Sequence, residues 1–352
     1  MREILRRHII SVAFISLLLG YFVFVSESGP ELYGFSGNTM GTTYNLQYVD
    51  EPSRPLGETL QSDVVVLLAR LDKEIFSTYA VDSELSRLNQ APMHEAIKVS
   101  PELLGVLLLA KEVSDLTRGA FDVTVGPLVN LWGFGPDFHV DRIPQQSEID
   151  ELMAQVGYTN LVINVETSTV TKLADVSIDL SAIAKGYVVD QVADLFEERG
   201  VNSYFLEIGG EIRLRGVKPD AKSWIPALES PVEAGRQIFA VLDSRGGAFS
   251  LAGSGDYRNY FLVDGNRYSH EIDPTTGWPV THNLAAAYVI DSSAARADAL
   301  ATALMVMGER DSIALANSIE LPVYLIAREI NGELSALFTA SFSKYLTESP
   351  EL

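Results

Sequence analysis

The feature that most constrains this chain is a change of hydrophobic period near Leu161. Before that point apolar residues recur with helical spacing. Residues 57–71 place Leu60, Val64, Leu67, Leu68 and Leu71 on one face. A second helix is expected from Ser100-Pro101, a cap followed by proline at the first helical position, to Arg118-Gly119. A third is expected over 147–157, and residues 42–48 alternate like a half-buried strand. After Leu161 short β-like runs dominate, at 161–165, 169–173 and 176–179. A helix over 182–199, closed by Gly200, interrupts them. Strands are then expected at 203–208, 211–215, 224–228, 238–242 and 248–251. The last third reads as a strand at 284–290, an alanine-rich helix at 294–307, another short helix and two terminal strands. Runs of strands with interspersed helices, without strict alternation, indicate an α+β fold of mixed or antiparallel sheets with flanking helices.

The N-terminus has a separate pattern. Arg2, Arg6 and Arg7 precede an apolar run over 9–25, broken only by Ser11, Ser16 and Gly20. A basic flank followed by such a run is the layout of a secretory signal or signal anchor, with the basic end in the cytoplasm. Residues 1–28 are therefore expected to be a signal peptide or membrane anchor, placing the rest at the periplasmic side of the inner membrane, or free in the periplasm after cleavage. The chain has no cysteine, which excludes disulfides, thiolate metal sites, a cysteine nucleophile and a lipidated N-terminal cysteine. Its net charge of -21 disfavours nucleic acid as a partner, because repulsion between like charges would dominate. An acidic protein that binds an anionic nucleotide needs a local remedy, and a divalent cation supplies one.

Three clusters carry possible chemistry. Asp298 and Thr302 are four residues apart in an alanine-rich helix and so share a face. A carboxylate among small apolar residues is costly unless paired or metal-bound, and a carboxylate with a hydroxyl suits magnesium. Pairing with Arg296, or with an arginine from elsewhere, would satisfy the same burial. In the second cluster, 179–187, a strand is expected to end at Asp179 with a helix starting just after it, which makes an anion-friendly terminus. Lys185 in the first turn opposes the helix dipole and suits a ligand; alternatively Asp179 or Ser181 is simply the cap. The third cluster, 268–277, sets His270 at the end of a short strand before a turn rich in Asp, Pro and Gly. Histidine is the natural base near neutral pH, although one in a turn is equally a structural residue. Glycines and aromatics crowd 119–127 and 131–136, as flat binding surfaces or as packed loops. No phosphate-binding loop with lysine occurs, and Gly253-Ser254-Gly255 reads as a turn.

Taken in order, these segments resemble the ApbE family of FAD:protein FMN transferases. The resemblance runs through Met40-Gly41-Thr42-Thr43-Tyr44, Phe76-Ser77-Thr78-Tyr79 with Ser83-Glu84-Leu85-Ser86, and 119–127. It continues through 179–187, Glu207-Ile208-Gly209-Gly210-Glu211, 253–260, 268–277 and 297–302. It implies a single transferase domain over 29–352. It further implies that Asp298 and Thr302 bind magnesium with backbone carbonyls of Ala182 and Ala301. Met40, Tyr79, Ala120, Phe121, Asp122, Asp179, Lys185 and Ile272 would line the site of the substrate FAD, and His270 would deprotonate the acceptor hydroxyl. The implied reaction transfers FMN from FAD to a threonine (or serine) of an acceptor protein and releases AMP. Family acceptors are flavin-carrying subunits of membrane redox pumps, such as the sodium-translocating NADH:quinone reductase. An FAD pyrophosphatase giving FMN and AMP, and a non-catalytic flavin-binding envelope protein, are the alternatives. Many envelope relatives carry a lipobox cysteine and this chain has none, so anchoring would rest on the apolar run.

Overall fold

The chain enters the fold through a tight hairpin, β1 (Glu31–Thr39) and β2 (Thr42–Asp50). Its two turn residues, Met40 and Gly41, have φ of 49° and 72°, the left-handed pair that matches the twist of a two-residue hairpin. The computed structural model describes residues 29–50, 56–135, 142–232, 235, 237–257, 259–263 and 266–347. The expected signal or anchor segment, 1–28, and Arg258 lie outside the described residues. No described helix is long and apolar enough to cross a membrane.

The remaining elements follow as α1 (Gly57–Ala69), which runs directly into a π-helical segment Arg70–Phe76, and α2 (Glu84–Gln90). Next come β3 (Ala96–Lys98), α3 (Pro101–Leu116), α4 (Gly126–Leu131), α5 (Gln146–Met153), β4 (Leu161–Asn164) and β5 (Thr169–Lys172). The second half holds α6 (Ala184–Glu198), β6 (Tyr204–Ile208), β7 (Glu211–Arg215), β8 (Ala227–Glu229), β9 (Ile238–Val241) and β10 (Ala248–Gly255). It ends with β11 (Tyr260–Val263), β12 (Asn266–Ser269), β13 (Leu284–Asp291), α7 (Ala294–Ser318), β14 (Val323–Arg328), β15 (Leu334–Phe338) and α8 (Ala340–Ser343). Eight strands form one antiparallel sheet in the order β1-β2-β6-β7-β10-β13-β14-β15. The architecture is α+β, as the strand-rich pattern predicts.

Both faces of this sheet are covered, and the alternation along the strands shows how. In β13, Ala287 and Val289 join the core under the helices, while Ala286, Tyr288 and Ile290 join a second core on the opposite face. In β14, Val323 and Leu325 take the first side, Tyr324 and Ile326 the second. The helix α7 lies on the first face. Its buried residues include Ala294, Ala295, Ala297, Ala299, Ala301 and Ala303, so its backbone can approach its neighbours closely. The approach to α6 is so tight that a Cβ on Gly186 would lie 2.3 Å from the Ala294 carbonyl oxygen. Within α7, Gly308 leaves helical geometry at φ 74°, ψ 173°, which separates the two helices read from the sequence.

Two expectations are corrected. Residues 176–179 are not a strand: the side-chain amide of Asn89 brackets Ile178, donating to its carbonyl at 2.9 Å and accepting its N–H at 2.8 Å. Asp179 N–H then donates to the Val123 carbonyl at 2.7 Å, so no ladder partner is left for the segment. Gly253, Ser254 and Gly255 are not a turn either, but the end of β10 opposite Tyr288, Ala287 and Ala286. The Tyr288 ring lies over Gly253, where a Cβ would come within 2.5 Å of it.

The entry of α7 is fixed by Asp190 of α6. Its carboxylate accepts from Ser293 Oγ (2.7 Å), Ala294 N (2.9 Å), Ala295 N (3.1 Å) and Arg213 Nη1 (2.7 Å). It thus satisfies N–H groups that helical geometry leaves without partners. We expect Asp190→Ala to cost about 2–4 kcal/mol, because cap and ion pair are lost together. Urea unfolding checks this, and an unchanged midpoint would contradict it.

Candidate active site

The first turns of α6 and α7 meet where the β1–β2 and β6–β7 turns arrive. Gly209-Gly210, both at positive φ, reverse the chain between β6 and β7 and deliver Glu211 to the start of β7. A Cβ on Gly209 would sit 2.8 Å from Thr42 Cγ2 and 3.2 Å from Lys185 Cδ, so glycine is required by space as well as by φ. Lys185 Nζ lies 3.6 Å from Glu211 Oε1 and 3.7 Å from Asp298 Oδ2, and donates to the Ser181 carbonyl at 3.0 Å. Asp298 and Glu211 are only 4% and 3% exposed.

Two buried carboxyls face one ammonium, so the three groups balance only when one carboxyl keeps its proton or a further cation is present. Burial pushes the Asp298 carboxyl above its usual range, and Lys185 and the Gly186 N–H offset this only in part. Burial likewise pushes Glu211 up to about 8 against the pull of Lys185, with Asp298 adding to the rise. For Lys185 burial works to lower the pKa, and the charges of Asp298 and Glu211 override it and hold the ammonium above its ordinary value. Glu211 Oε2 is buried with no hydrogen-bond partner among the described residues. Arg296 is not the partner of Asp298; it pairs with Asp291 and Glu112.

The N–H of Gly186 donates to Asp298 Oδ2 at 3.1 Å. Gly186 is the third residue of α6, so its N–H lies in the first turn, where helical geometry supplies no partner. The Asp298 carboxylate takes this open N–H and so ties the first turn of α6 to α7. Thr302 stands half-buried one turn beyond Asp298 on α7. Ala301 lies fully buried inside the regular part of that helix, where helical pairing already uses its carbonyl. No group of three or more His, Asp and Glu among the described residues has metal-holding geometry. A cation here would therefore draw on a carboxylate, a hydroxyl and backbone oxygens, a donor set that fits a hard cation with water in its remaining positions.

From Lys185 a chain of contacts leads to the other sequence-predicted residues. Ser181, whose carbonyl receives Lys185, gives its N–H to Asp179 Oδ1 at 2.8 Å. Asp179 is anchored to Val123, and Gly126 is held close enough that a Cβ there would lie 3.4 Å from Asp179 Cβ. The loop 119–125 is shaped by Asp122. One of its oxygens accepts from Thr124 N (2.7 Å) and Thr124 Oγ1 (2.6 Å), the other from Tyr158 N (2.8 Å). Burial raises the Asp122 carboxyl despite these bonds. Asp122 thus builds the loop, and the Phe121 side chain is buried in the main core. Ile272 is likewise buried, in a third core with Trp132, Leu128 and Ile149. Contact of Phe121 and Ile272 with a ligand would come from the backbone. Ala120 is half-buried on the same loop.

The loop meets the His270 segment at Gly119, where a Cβ would lie 3.9 Å from Thr275 Cγ2. His270 follows β12, as expected, and faces Asn259, Glu271 and the ring of Phe134. On the opposite flank Met40 is fixed by its N–H to Asp72 Oδ2 (3.1 Å), which belongs to the π-helical segment. That segment packs Phe76 against Tyr187 of α6 at 5.6 Å and leads to Tyr79. Tyr79 is 76% exposed on a loop pinned by Ser77, a ring free to stack on a flat ligand.

A model of the ApbE family matches residues 40–325. The chain belongs to the ApbE family. A protein of Vibrio cholerae named FAD:protein FMN transferase is 42% identical over 345 residues, covering 98% of this chain and 100% of its own. The solved flavin transferase ApbE of that organism superposes with a TM-score of 0.82 over 90% of this chain and 100% of the other. The apo form of the Pseudomonas stutzeri flavinyl transferase ApbE gives 0.82 at 36% identity, over 90% and 97%.

Sequence reasoning missed Glu211 as a site residue. Its signal is a carboxylate directly after a Gly-Gly turn, opening a strand whose next residue, Ile212, is also buried. The pH response tests the cluster. A carboxyl raised in the folded state holds a proton there that the unfolded chain releases. Its stabilising contribution is therefore lost as pH rises from the unfolded value toward the folded one, about 8 for Glu211. Without divalent cation the thermal midpoint should fall across that window, and fall less in Glu211→Gln. Equal slopes in the two proteins would contradict the assignment.

Proposed function

We propose that this ApbE-family enzyme, an FAD:protein FMN transferase, works with magnesium held by Asp298, Thr302 and the carbonyl of Ala182, with that of Ala301 nearby. The observation that carries the reading is the Asp298 carboxylate itself, buried in an alanine-rich helix, taking the open Gly186 N–H at the start of α6 and facing Lys185 beside a second buried carboxyl, Glu211. When bound, the cation would neutralise the diphosphate and polarise the attacked phosphorus.

The chain's own residues account for the rest. Lys185 holds its ammonium beside Asp298, in reach of a phosphate oxygen. The backbone of the 119–125 loop and the turn at Asp179 form one wall for FAD, and the exposed Tyr79 ring offers a stacking surface for a flavin or adenine ring. The oxygen of an acceptor threonine, or serine, attacks the FMN-side phosphorus; the bond from that phosphorus to the bridging oxygen breaks, and AMP leaves with that oxygen. His270 takes the hydroxyl proton. The acceptor class is a flavin-carrying subunit of a membrane redox pump, and the basic-then-apolar N-terminus supports work at the periplasmic side of the inner membrane.

Asp298→Ala should remove magnesium-dependent AMP release while circular dichroism shows the fold retained. Full activity in that variant would overturn the metal assignment. His270→Ala should retain FAD binding by fluorescence quenching and slow transfer about 100-fold or more; an unchanged rate would place the base elsewhere. Free FMN formed at the full rate without acceptor would identify water as the acceptor instead.

A further inference from the structure

We propose that Glu271 is a positioning residue acting through His270: it is held where it stabilises the imidazolium formed when Nε2 takes the acceptor's proton. The inference rests on the reading of His270 as the base.

The ring tautomer follows from a carbonyl. Asn259 precedes β11, which pairs with β12 so that Tyr260 faces Ser269, and His270 therefore meets Asn259. The Asn259 carbonyl oxygen receives the His270 backbone N–H at 3.1 Å and faces ring Nδ1 at 3.0 Å. A carbonyl only accepts, so in the neutral ring the proton is on Nδ1. The lone pair is then on Nε2, the atom available to a substrate hydroxyl.

Nε2 faces Glu271 Oε1 at 3.6 Å. Glu271 is buried and held from several sides. Its Oε1 accepts from Ser254 Oγ of β10 at 3.0 Å, its N–H donates to Ser269 Oγ at 3.1 Å, and its carbonyl accepts from Val280 N at 3.0 Å. The Phe134 ring closes another side of the imidazole, centroids 6.1 Å apart. A fixed carboxylate beside an unprotonated Nε2 gains nothing from the neutral ring. Once Nε2 carries the proton, the pair becomes an ion pair in a partly desolvated place. The stabilisation is thus realised as the reaction proceeds, which is the condition for it to raise turnover rather than substrate binding. Ser254, in the Gly253-Ser254-Gly255 stretch, gains a role in orienting Glu271.

The test uses the full chain with FAD, magnesium and an acceptor protein. Glu271→Gln keeps size and can still accept from Ser254. It should lower kcat for transfer about 10- to 100-fold, a part of the roughly 10²–10⁴-fold that the whole proton transfer contributes, with KM for FAD changed less than about twofold. Ser254→Ala, which keeps the charge, should give a smaller loss of kcat. In the double variant His270→Ala/Glu271→Gln the rate should equal that of His270→Ala, because the two effects are not independent. Nitrogen NMR of labelled histidine should show the Nδ1–H tautomer for His270. Wild-type kcat in Glu271→Gln, or multiplying effects in the double variant, would overturn the proposal while leaving His270 as base. An unchanged rate in His270→Ala would instead overturn the base reading, and this inference with it.

Discussion

The Lys185 ammonium sits between the buried carboxylates of Glu211 and Asp298, and much of the architecture serves to bring these three groups together. Burying two carboxylates is costly, and one ammonium compensates only part of that cost. A fold governed by stability alone would place apolar residues there, as it does at Ala297 and Ala299 on either side of Asp298. The pairing of two buried carboxyls with a single ammonium, which leaves one carboxyl holding its proton, is therefore informative. On the proposed reading, a cation could take the place of that proton in a protein whose overall charge is strongly negative.

The sheet and the helices reach this point through polar clamps. Asp190 fixes the entry of α7 against α6, so the position of Asp298 relative to Lys185 depends on one side chain about one and a half turns further along α6. On the other side Lys172, nearly fully buried, donates to the Asn89 carbonyl at 2.6 Å while the Asn89 amide brackets Ile178, just before Asp179. Burial lowers the Lys172 pKa. Each clamp satisfies backbone groups that regular structure leaves open, which is how irregular segments can stay buried and ordered. The close contact at Gly186 and the alanines of α7 supply the space that these clamps require.

Much of this was legible in the sequence, for reasons that differ by element. The helix from Pro101 and the alanine-rich helix from Ala294 carry their caps, Ser100 and Ser293, in plain view. The strand β1 was not read, because it is an exposed edge strand containing Gly34 and Gly37, with the Tyr44 ring lying over Gly37 from the neighbouring strand. Residues 176–179 looked like a strand because Val176 and Ile178 alternate, but a side chain from residue 89 takes their pairing. At the site, the shared face of Asp298 and Thr302 follows from spacing, whereas the Glu211 contact joins residues far apart in sequence. Asp122, Phe121 and Ile272 appear in the motifs of the family, yet their side chains serve the loop and the cores; sequence identity alone does not separate a residue that touches a ligand from one that shapes the backbone around it.

In the proposed reaction the pocket around Lys185 and the His270 segment together move FMN from FAD onto a protein hydroxyl. Intact-mass spectrometry of an acceptor flavoprotein domain, incubated with this enzyme, FAD and magnesium, tests it most directly. The acceptor should become heavier by one FMN phosphoester, with AMP released in equal amount, and should not change when magnesium is withheld. An acceptor of unchanged mass, with the Vibrio cholerae relative labelling it in a parallel reaction, would contradict it.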